Sequence, residues 1–502
     1  MKFNIRLNSS LSVAETIVNG LSLFALYAFV NRTLGVASVG IWALVLATGS
    51  LTRIADMGLG QGLQRKIAVA LAGGDRGQAI NYVETAVMAV GLFYAVLLAA
   101  AFYPALWVLN STLPTVDGGT LIQLLLLAFA SFWISQIAWL ALFGLCGTHH
   151  VYLKCIISMA SNVANVVMAF VLVPKMGILG LGVAQCAQAV LALLIGAVAL
   201  GHVLPGLRWI RLRWSPGTFR ELVSYGWKLQ MVSLLVLGYE PVTKFLLGRF
   251  FGAEMVGLYE LATRMVQQVR ALIGAPNNAL LPTFAALGNA GPQGCTPILR
   301  QAQMVTNFLG TAVAVVLLGL LPVISEIWIG RLDMNFVVFA GLLTVGWFTG
   351  LYTAPLYYFG MAIDQFRWIL TGHALMVVLN VALCVLAGLE GDARSLVLAT
   401  NVAMVIGSMT WMIGIASGNS LQVRNLLADI PRFALSGLLA TAAALALYAS
   451  GRATLGLWGV GIAQLGVMAV ILAAAVWMHP HRHTLFETAS TYLSGRRKVT
   501  AV

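Results

Sequence analysis

The chain has 502 residues, of which 60% are hydrophobic and only 9% charged, and its mean hydropathy is +0.91. So few polar side chains cannot cover the surface of a soluble protein of this size, which excludes a water-soluble globular fold. The net charge of +13 would suggest a nucleic-acid partner in a soluble protein, but here the positions of the charges give it another meaning.

In chain order the apolar runs are nearly continuous for about 20 residues, the length a helix needs to cross about 30 Å of hydrocarbon. Strands of a membrane barrel would alternate and be half as long. The pattern predicts an all-α polytopic membrane protein with about fourteen spans. The first six run from Ser12 to Val30, Val39 to Met57, Tyr82 to Tyr103, Leu121 to Leu145, Tyr152 to Val173 and Ile178 to Leu200. Lys2 and Arg6 precede the first of these, which continues to Val30 without a small-residue cleavage site and reads as a retained span. A polar connector follows, bearing Arg208, Arg211, Arg213 and Arg220. The second six are Leu222 to Leu247, Met255 to Ala275, Met304 to Ile327, Phe336 to Tyr358, Trp368 to Ala387 and Leu396 to Ile415. After a further linker come Phe433 to Ala449 and Leu455 to Trp477.

These spans divide the chain into an N-terminal six-helix lobe (1–204), a cytoplasmic connector (205–221), a C-terminal six-helix lobe (222–416), a linker with two extra helices (417–478) and a basic cytoplasmic tail (479–502). The two lobes carry traces of duplication. Arg32, Gly35, Val39, Gly40 and Trp42 match Arg249, Gly252, Val256, Gly257 and Tyr259 at an offset of 217 residues. Asn165, Val166, Ala184 and Gln185 align with Asn380, Val381, Ala399 and Thr400 at 215. Six helices per repeat is an even number, so the lobes are parallel and related by an axis along the membrane normal.

Lys and Arg collect in short cytoplasmic loops. With the N-terminus inside, nineteen of the 29 fall in cytoplasmic segments, counting Lys154 and Lys228 at the cytoplasmic ends of their spans, six fall outside and four deeper within spans, and both termini are cytoplasmic. The net charge is thereby read as a topology signal.

Ionisable groups inside spans cost at least about 2.5 kcal/mol and normally face a bundle interior or a wet cavity. Arg264 lies near mid-span, on one face with Glu260, Gln267 and Gln268, and Arg270 lies deeper. The preceding span carries Lys228, Glu240, Pro241 and Lys244, with Pro241 expected to kink it. The corresponding first-lobe spans bring Glu15, Asn19, Arg53 and Asp56. Two accounts compete. Glu260 with Arg264, Arg53 with Asp56, and Glu240 with Lys244 are spaced to neutralise one another. Alternatively, clustering in corresponding spans reflects a shared cationic cavity with acidic groups near its ends, which the recurrence favours. Arg264, Lys228, Arg53, Arg270 and Lys244 are then the candidate cavity cations, and Glu240, Asp56, Glu260 and Glu15 candidates for ion coupling or charge pairing.

Other signals are weaker. The glycines of the run Asp56 to Gly62 lack the lysine spacing of a phosphate loop and fit a helix end or hinge. Cys146, Cys155, Cys186, Cys295 and Cys384 form no paired motif and read as small core residues. His149, His150 and the histidines after His479 lack acidic or cysteine company and read as loop and tail, so no metal is expected. With no nucleophile, base and oxyanion set, the chain is not read as an enzyme.

The stretch from Glu240 and Lys244 into LLGRFFGAEMVGLYELATRM, with ADMGLGQGLQRKIA from Ala55, resembles the polysaccharide-exporter branch of the multidrug/oligosaccharidyl-lipid/polysaccharide superfamily. The resemblance extends through the fourteen-helix plan and implies two six-helix lobes around a cationic central cavity, open alternately to either side. It implies a bacterial inner-membrane flippase that moves undecaprenyl-diphosphate-linked oligosaccharide units for O-antigen or exopolysaccharide synthesis. It further implies an acidic role for Glu240, membrane lipid and a polysaccharide polymerase and co-polymerase as partners, and no nucleic acid. No cofactor is implied beyond a coupling proton or sodium ion. A cation-coupled multidrug exporter, a flippase for the peptidoglycan lipid precursor, and a non-transporting scaffold remain as alternatives. The first should favour buried carboxylates and aromatic walls over Arg and Lys, and the last needs no buried charge.

Overall fold

The computed structural model describes residues 5–51, 59–207, 209, 213–222, 235, 238–274, 277, 280, 284, 291–419, 421–427 and 430–479. Regular structure among these residues is helical: α1 (Ile5–Leu34), α2 (Val36–Leu51), α3 (Leu59–Ala72), α4 (Arg76–Thr112), α5 (Gly118–Gly147), α6 (Val151–Met176), α7 (Ile178–Val203), α8 (Glu240–Gly274), α9 (Gly291–Ile329), α10 (Met334–Tyr352), α11 (Ala354–Ala362), α12 (Phe366–Glu390), α13 (Ala393–Gly418), α14 (Val423–Leu426) and α15 (Ile430–Trp477). Ten helical stretches among them are long and apolar enough to cross a membrane. Helices satisfy their backbone groups internally, which hydrocarbon requires, and lipid tolerates the outward display of Leu92, Val96, Trp107 and Ile462. The chain is thus an all-α polytopic membrane protein.

Short polar loops fix where several spans begin. Asp75, Asp117 and Asp333 each cap a helix by accepting from backbone N–H groups two or three residues ahead, which answers donors that lack a partner in the first turn.

Three departures from the predicted spans have clear causes. The glycine run after Asp56 opens a helix that was not expected: in α3, Leu59, Leu63 and Ile67 are buried while Arg65 faces out. Repeated apolar positions three to four residues apart place α3 against α5. The close approach explains the glycines, because a Cβ on Gly60 would meet the Phe143 ring at 2.4 Å, and one on Gly147 would meet the Gln64 carbonyl at 2.8 Å. The second departure concerns Pro241, expected as a kink. The chain turns at Gly238 and Tyr239 and a new helix starts at Glu240. Pro241 therefore occupies a first turn, where its missing N–H costs nothing. Third, the span from Phe336 breaks at Thr353, whose hydroxyl accepts from Trp411 Nε1 at 3.1 Å, and Pro355 opens the short helix that follows.

The chain divides into two compact units, Met1–Leu261 with Met376–Thr400, and Ala262–Leu375 with Asn401–Val502. In the first, α5 packs on α7, α6 lies against α1 and α7, and α3 rests on α4 and α5. The connector docks there too. Asn81 donates to Thr218 at 3.1 Å, Tyr82 donates to Glu221 at 2.6 Å, and Lys66 meets the same carboxylate at 2.9 Å. In the second unit α9 packs along α15 through Val315, Ala440, Ala444 and Met468. Gln464 donates to the carbonyls of Gly319 and Ala444, and Arg452 reaches Glu326 at 2.5 Å, with the Tyr448 hydroxyl on the same carboxylate.

The matched repeat is visible in the backbone. Gly35 and Gly252, 217 residues apart, have φ of +83° and +81°, a region glycine enters without strain. At Gly252 α8 doubles back, so that Gly248 faces Val256. Gly456 makes the same kind of turn, φ +70°, inside α15.

Candidate functional site

Among the described residues, the charges predicted from sequence fall into three groups, two in the first unit and one in the second.

In the first group the Lys244 ammonium stands between two carboxylates, 2.9 Å from Glu240 Oε1 and 2.8 Å from Glu260 Oε2. Tyr27 of α1 donates its hydroxyl to Glu260 Oε1 at 3.1 Å. The Glu260 side chain is fully buried and that of Lys244 is 6% exposed, whereas Glu240 is 27% exposed. A charge this deep is tolerable only with such partners. Lys244 and Glu240 share one helical turn, so this expected pair forms. Glu260 is reached across the Gly252 turn by Lys244 and from α1 by Tyr27, contacts that no local spacing announces.

The second group joins α1 to α6 and α7. Lys154 Nζ lies 2.6 and 2.8 Å from the two oxygens of Glu15. One turn on, Asn19 donates to Ser158 at 3.3 Å and accepts from Asn162 at 3.0 Å, and Gln188 donates to Asn162 at 2.8 Å. Lys154, Ser158 and Asn162 recur every fourth residue, so one face of α6 presents a polar seam to its neighbours. Sequence reading placed Lys154 in a cytoplasmic segment and missed this seam. Its α1 partners lie 139 to 143 residues away and its α7 partner Gln188 lies 26 away, and only the i, i+4 recurrence on α6 could have signalled it.

The third group lies in the second unit. Arg264 and Arg270 are half-buried on the last part of α8. The Arg270 guanidinium sits 4.7 Å from the centre of the Trp347 ring, a cation–π contact. Its charge also bears on the Tyr357 and Tyr358 hydroxyls. Tyr357 meets Trp411 edge-on at 5.6 Å, and the buried His373 ring lies 4.8 Å from Trp411. Basic charge and aromatic faces thus share one region of the second unit, a combination able to hold an anionic group bearing rings. Arg53, Asp56 and Lys228 lie outside the described residues.

At the connector, the Tyr82 hydroxyl and then Lys66 hold the Glu221 carboxyl below its ordinary value, and Glu221 in turn raises Lys66 above its own. Both are part-exposed, so the pair is a modest strap.

Comparison with known proteins now bears on this arrangement. The model of the polysaccharide biosynthesis protein family matches residues 8–287, more than half of the chain. No curated protein matches it in sequence. Among solved structures it is similar to the lipid II flippase MurJ in an inward closed conformation, at 14% identity and TM-score 0.68, over 98% of this chain and 100% of that one. It is also similar to an inward-facing multidrug resistance MATE family transporter of the MOP superfamily, at 14% identity and TM-score 0.62, over 82% and 94% of the two chains. The Vibrio cholerae MATE transporter VcmN matches at 16% identity and TM-score 0.59, over 85% and 100%. At these identities the structural likeness establishes the fold, and the family match adds descent. The chain therefore belongs to the polysaccharide biosynthesis protein family.

Proposed function

We propose that the protein is a flippase that carries undecaprenyl-diphosphate-linked oligosaccharide units across the bacterial inner membrane by alternating access, for O-antigen or exopolysaccharide synthesis. The observation that carries this reading is that Arg264 and Arg270 are half-buried on the last part of α8, with Arg270 held on an aromatic face. A diphosphate and its sugars cannot enter hydrocarbon bare, because their hydrogen bonds and charges would be stripped. Guanidinium groups replace that solvation with paired donors matched to phosphate oxygens, and the polyprenyl tail stays in lipid. Arg53 and Lys228 join these two as proposed cavity cations. Lys244 enters differently: Glu240 and Glu260 hold its ammonium, so it meets substrate only in a state where one of them is neutralised by a proton or another cation. That exchange is our proposed coupling step, with Asp56 and Glu15 as further candidates.

Glu15, Glu240 and Glu260 all meet lysines, which leaves them poorly suited to receive an organic cation and favours an anionic cargo over drug export. In this reading both termini are cytoplasmic, the two six-helix lobes alternate around the cations, and a polymerase and co-polymerase receive the product. The test is transport of a fluorescent undecaprenyl-diphosphate-linked saccharide in proteoliposomes. Arg264→Ala and Arg270→Ala should each slow it about 10- to 100-fold, the equivalent of one or two charge-assisted hydrogen bonds, while insertion is unchanged. Wild-type rates in both variants would refute the assignment, and no transport of that lipid by the unaltered protein would refute the function.

A further inference from the structure

The two copies of the repeat touch each other at matched positions. A Cβ on Gly40 would lie 1.8 Å from the Ala253 carbonyl oxygen, and one on Gly257 would lie 2.1 Å from the Val36 carbonyl oxygen. Val36 and Ala253, like Gly40 and Gly257, are 217 residues apart. Each copy therefore offers its glycine to the other copy's helix start, the reciprocal pattern of a twofold contact. The crossing is backbone against backbone, a separation that any side chain at either glycine would prevent. Both partners follow directly on the Gly35 and Gly252 turns, so the contact sits where α1 passes into α2 and where α8 doubles back.

Three further features close around it. A Cβ on Gly248 would meet Leu44 at 3.0 Å and Thr112 at 2.6 Å, so the segment before the turn is pressed against α2 and the end of α4. Leu44, one turn beyond Gly40, is fully buried under this contact, as is Val256. Tyr27 of α1 is tied to Glu260, and Glu260 to Lys244, so a hydrogen bond joins α1 to α8 and an ion pair joins the two arms of α8 three residues past Gly257.

We propose that the Gly40–Gly257 crossing is the closed outer gate of the transport path, and that Tyr27 and Glu260 with Lys244 form its latch. The proposal rests on the transport reading above and on its topology, which places this end of α2 outside. Opening toward the exterior parts the two glycine faces and breaks the Tyr27–Glu260 bond; closing restores both. The glycines allow the helices to meet closely enough to exclude a head group, and the latch sets how firmly they stay together.

The test needs no substrate. In the full-length protein in proteoliposomes, Leu44→Cys is labelled with a membrane-impermeant maleimide from the outer side, counted against the parent chain with its native cysteines. Gly40→Ala or Gly257→Ala, added singly, should raise the labelling rate at least about tenfold, since a methyl overlapping a backbone oxygen shifts the equilibrium toward the parted state. Gly49→Ala, on the same helix with nothing within 4 Å of an added Cβ, should leave it unchanged. If a gate glycine variant fails to insert, Tyr27→Phe and Glu260→Gln decide, each with an expected rise of about threefold from loss of one latch bond. Unchanged labelling in every inserted gate or latch variant overturns the proposal, as does an equal rise with Gly49→Ala. A labelling rise in a protein that moves no lipid-linked saccharide would leave the gate standing and remove the substrate assignment.

Discussion

Replacing Lys244 by methionine tests whether the buried charge cluster is as tight in the membrane as its geometry indicates. The change keeps most of the side-chain volume and removes the ammonium that lies 2.8 Å from Glu260 and 2.9 Å from Glu240. Glu260 is fully buried and keeps the Tyr27 hydroxyl, while Glu240, at 27% exposure, can turn to water. Loss of one partner from a buried pair costs about 3–5 kcal/mol. Glu260→Gln is milder: the amide oxygen still accepts from Tyr27 and Glu240 still answers Lys244, so about 1–3 kcal/mol is expected, the cost of a weakened charged hydrogen bond. In the double variant neither charge is left facing a missing partner, and the sum of the single effects should exceed the double by about 1–3 kcal/mol of coupling. The assay is reversible unfolding of the detergent-solubilised protein by added denaturing detergent, read for the wild type, both singles and the double. Additive effects within about 0.5 kcal/mol, or a Lys244→Met change no larger than that of Glu260→Gln, would refute the reasoning.

The connector strap should respond to pH at both ends of the scale. Glu221 is held below its ordinary value of 4.5, so its contribution is complete above 4.5 and is lost as pH falls through the lowered value. Lys66 is held above its ordinary 10.5, so its contribution is complete below 10.5 and disappears as pH rises through the raised value. Between these limits the pair is intact, and Glu221→Gln should reduce protection of the connector by only about 0.2–1 kcal/mol, measured as hydrogen exchange of residues 213–222 near pH 7. A loss several times larger would mean that the connector depends on more than this exposed pair. Glu15→Gln removes a carboxylate 10% exposed beside Lys154 and should lower the unfolding midpoint, and Lys154→Met in the same chain should restore part of it. No restoration in the double variant would deny the pair.

The span pattern was legible because hydrocarbon admits so few solutions: about twenty apolar residues in a row can only be a helix across it. Its exceptions arose where the same residues serve two grammars. Pro241 inside an apolar run reads as a kink, yet the chain turns at Gly238 and Tyr239 and a helix starts at Glu240, which leaves Pro241 in a first turn. The glycines after Asp56 read as a helix end or hinge, and α3 does begin among them, but close helix packing leaves no mark of its own in sequence; only the Phe143 ring, 83 positions away, gives Gly60 its reason. The repeat was legible as spacing, and its glycines carried that information because a positive φ disfavours other residues and a backbone contact leaves no room for a side chain.

The site was legible one residue at a time but not as a set of partners. Glu240 and Lys244 could be paired from sequence because a helical turn brings them together, and they do meet. Glu260 has an equally good local candidate in Arg264, one turn away, and local spacing gave no hint of Lys244 or Tyr27. What brings these two to Glu260 is the reversal at Gly252 and the crossing of the repeats at Gly40 and Gly257. In a duplicated membrane protein, contacts between the copies are long in sequence by construction, since equivalent positions stand a whole repeat apart. The residues where the copies meet are therefore the ones a linear reading reaches last, and the offset of the repeat is the ruler that finds them: Val36 with Ala253 and Gly40 with Gly257 are a single number apart, and that number predicts which backbone each glycine meets.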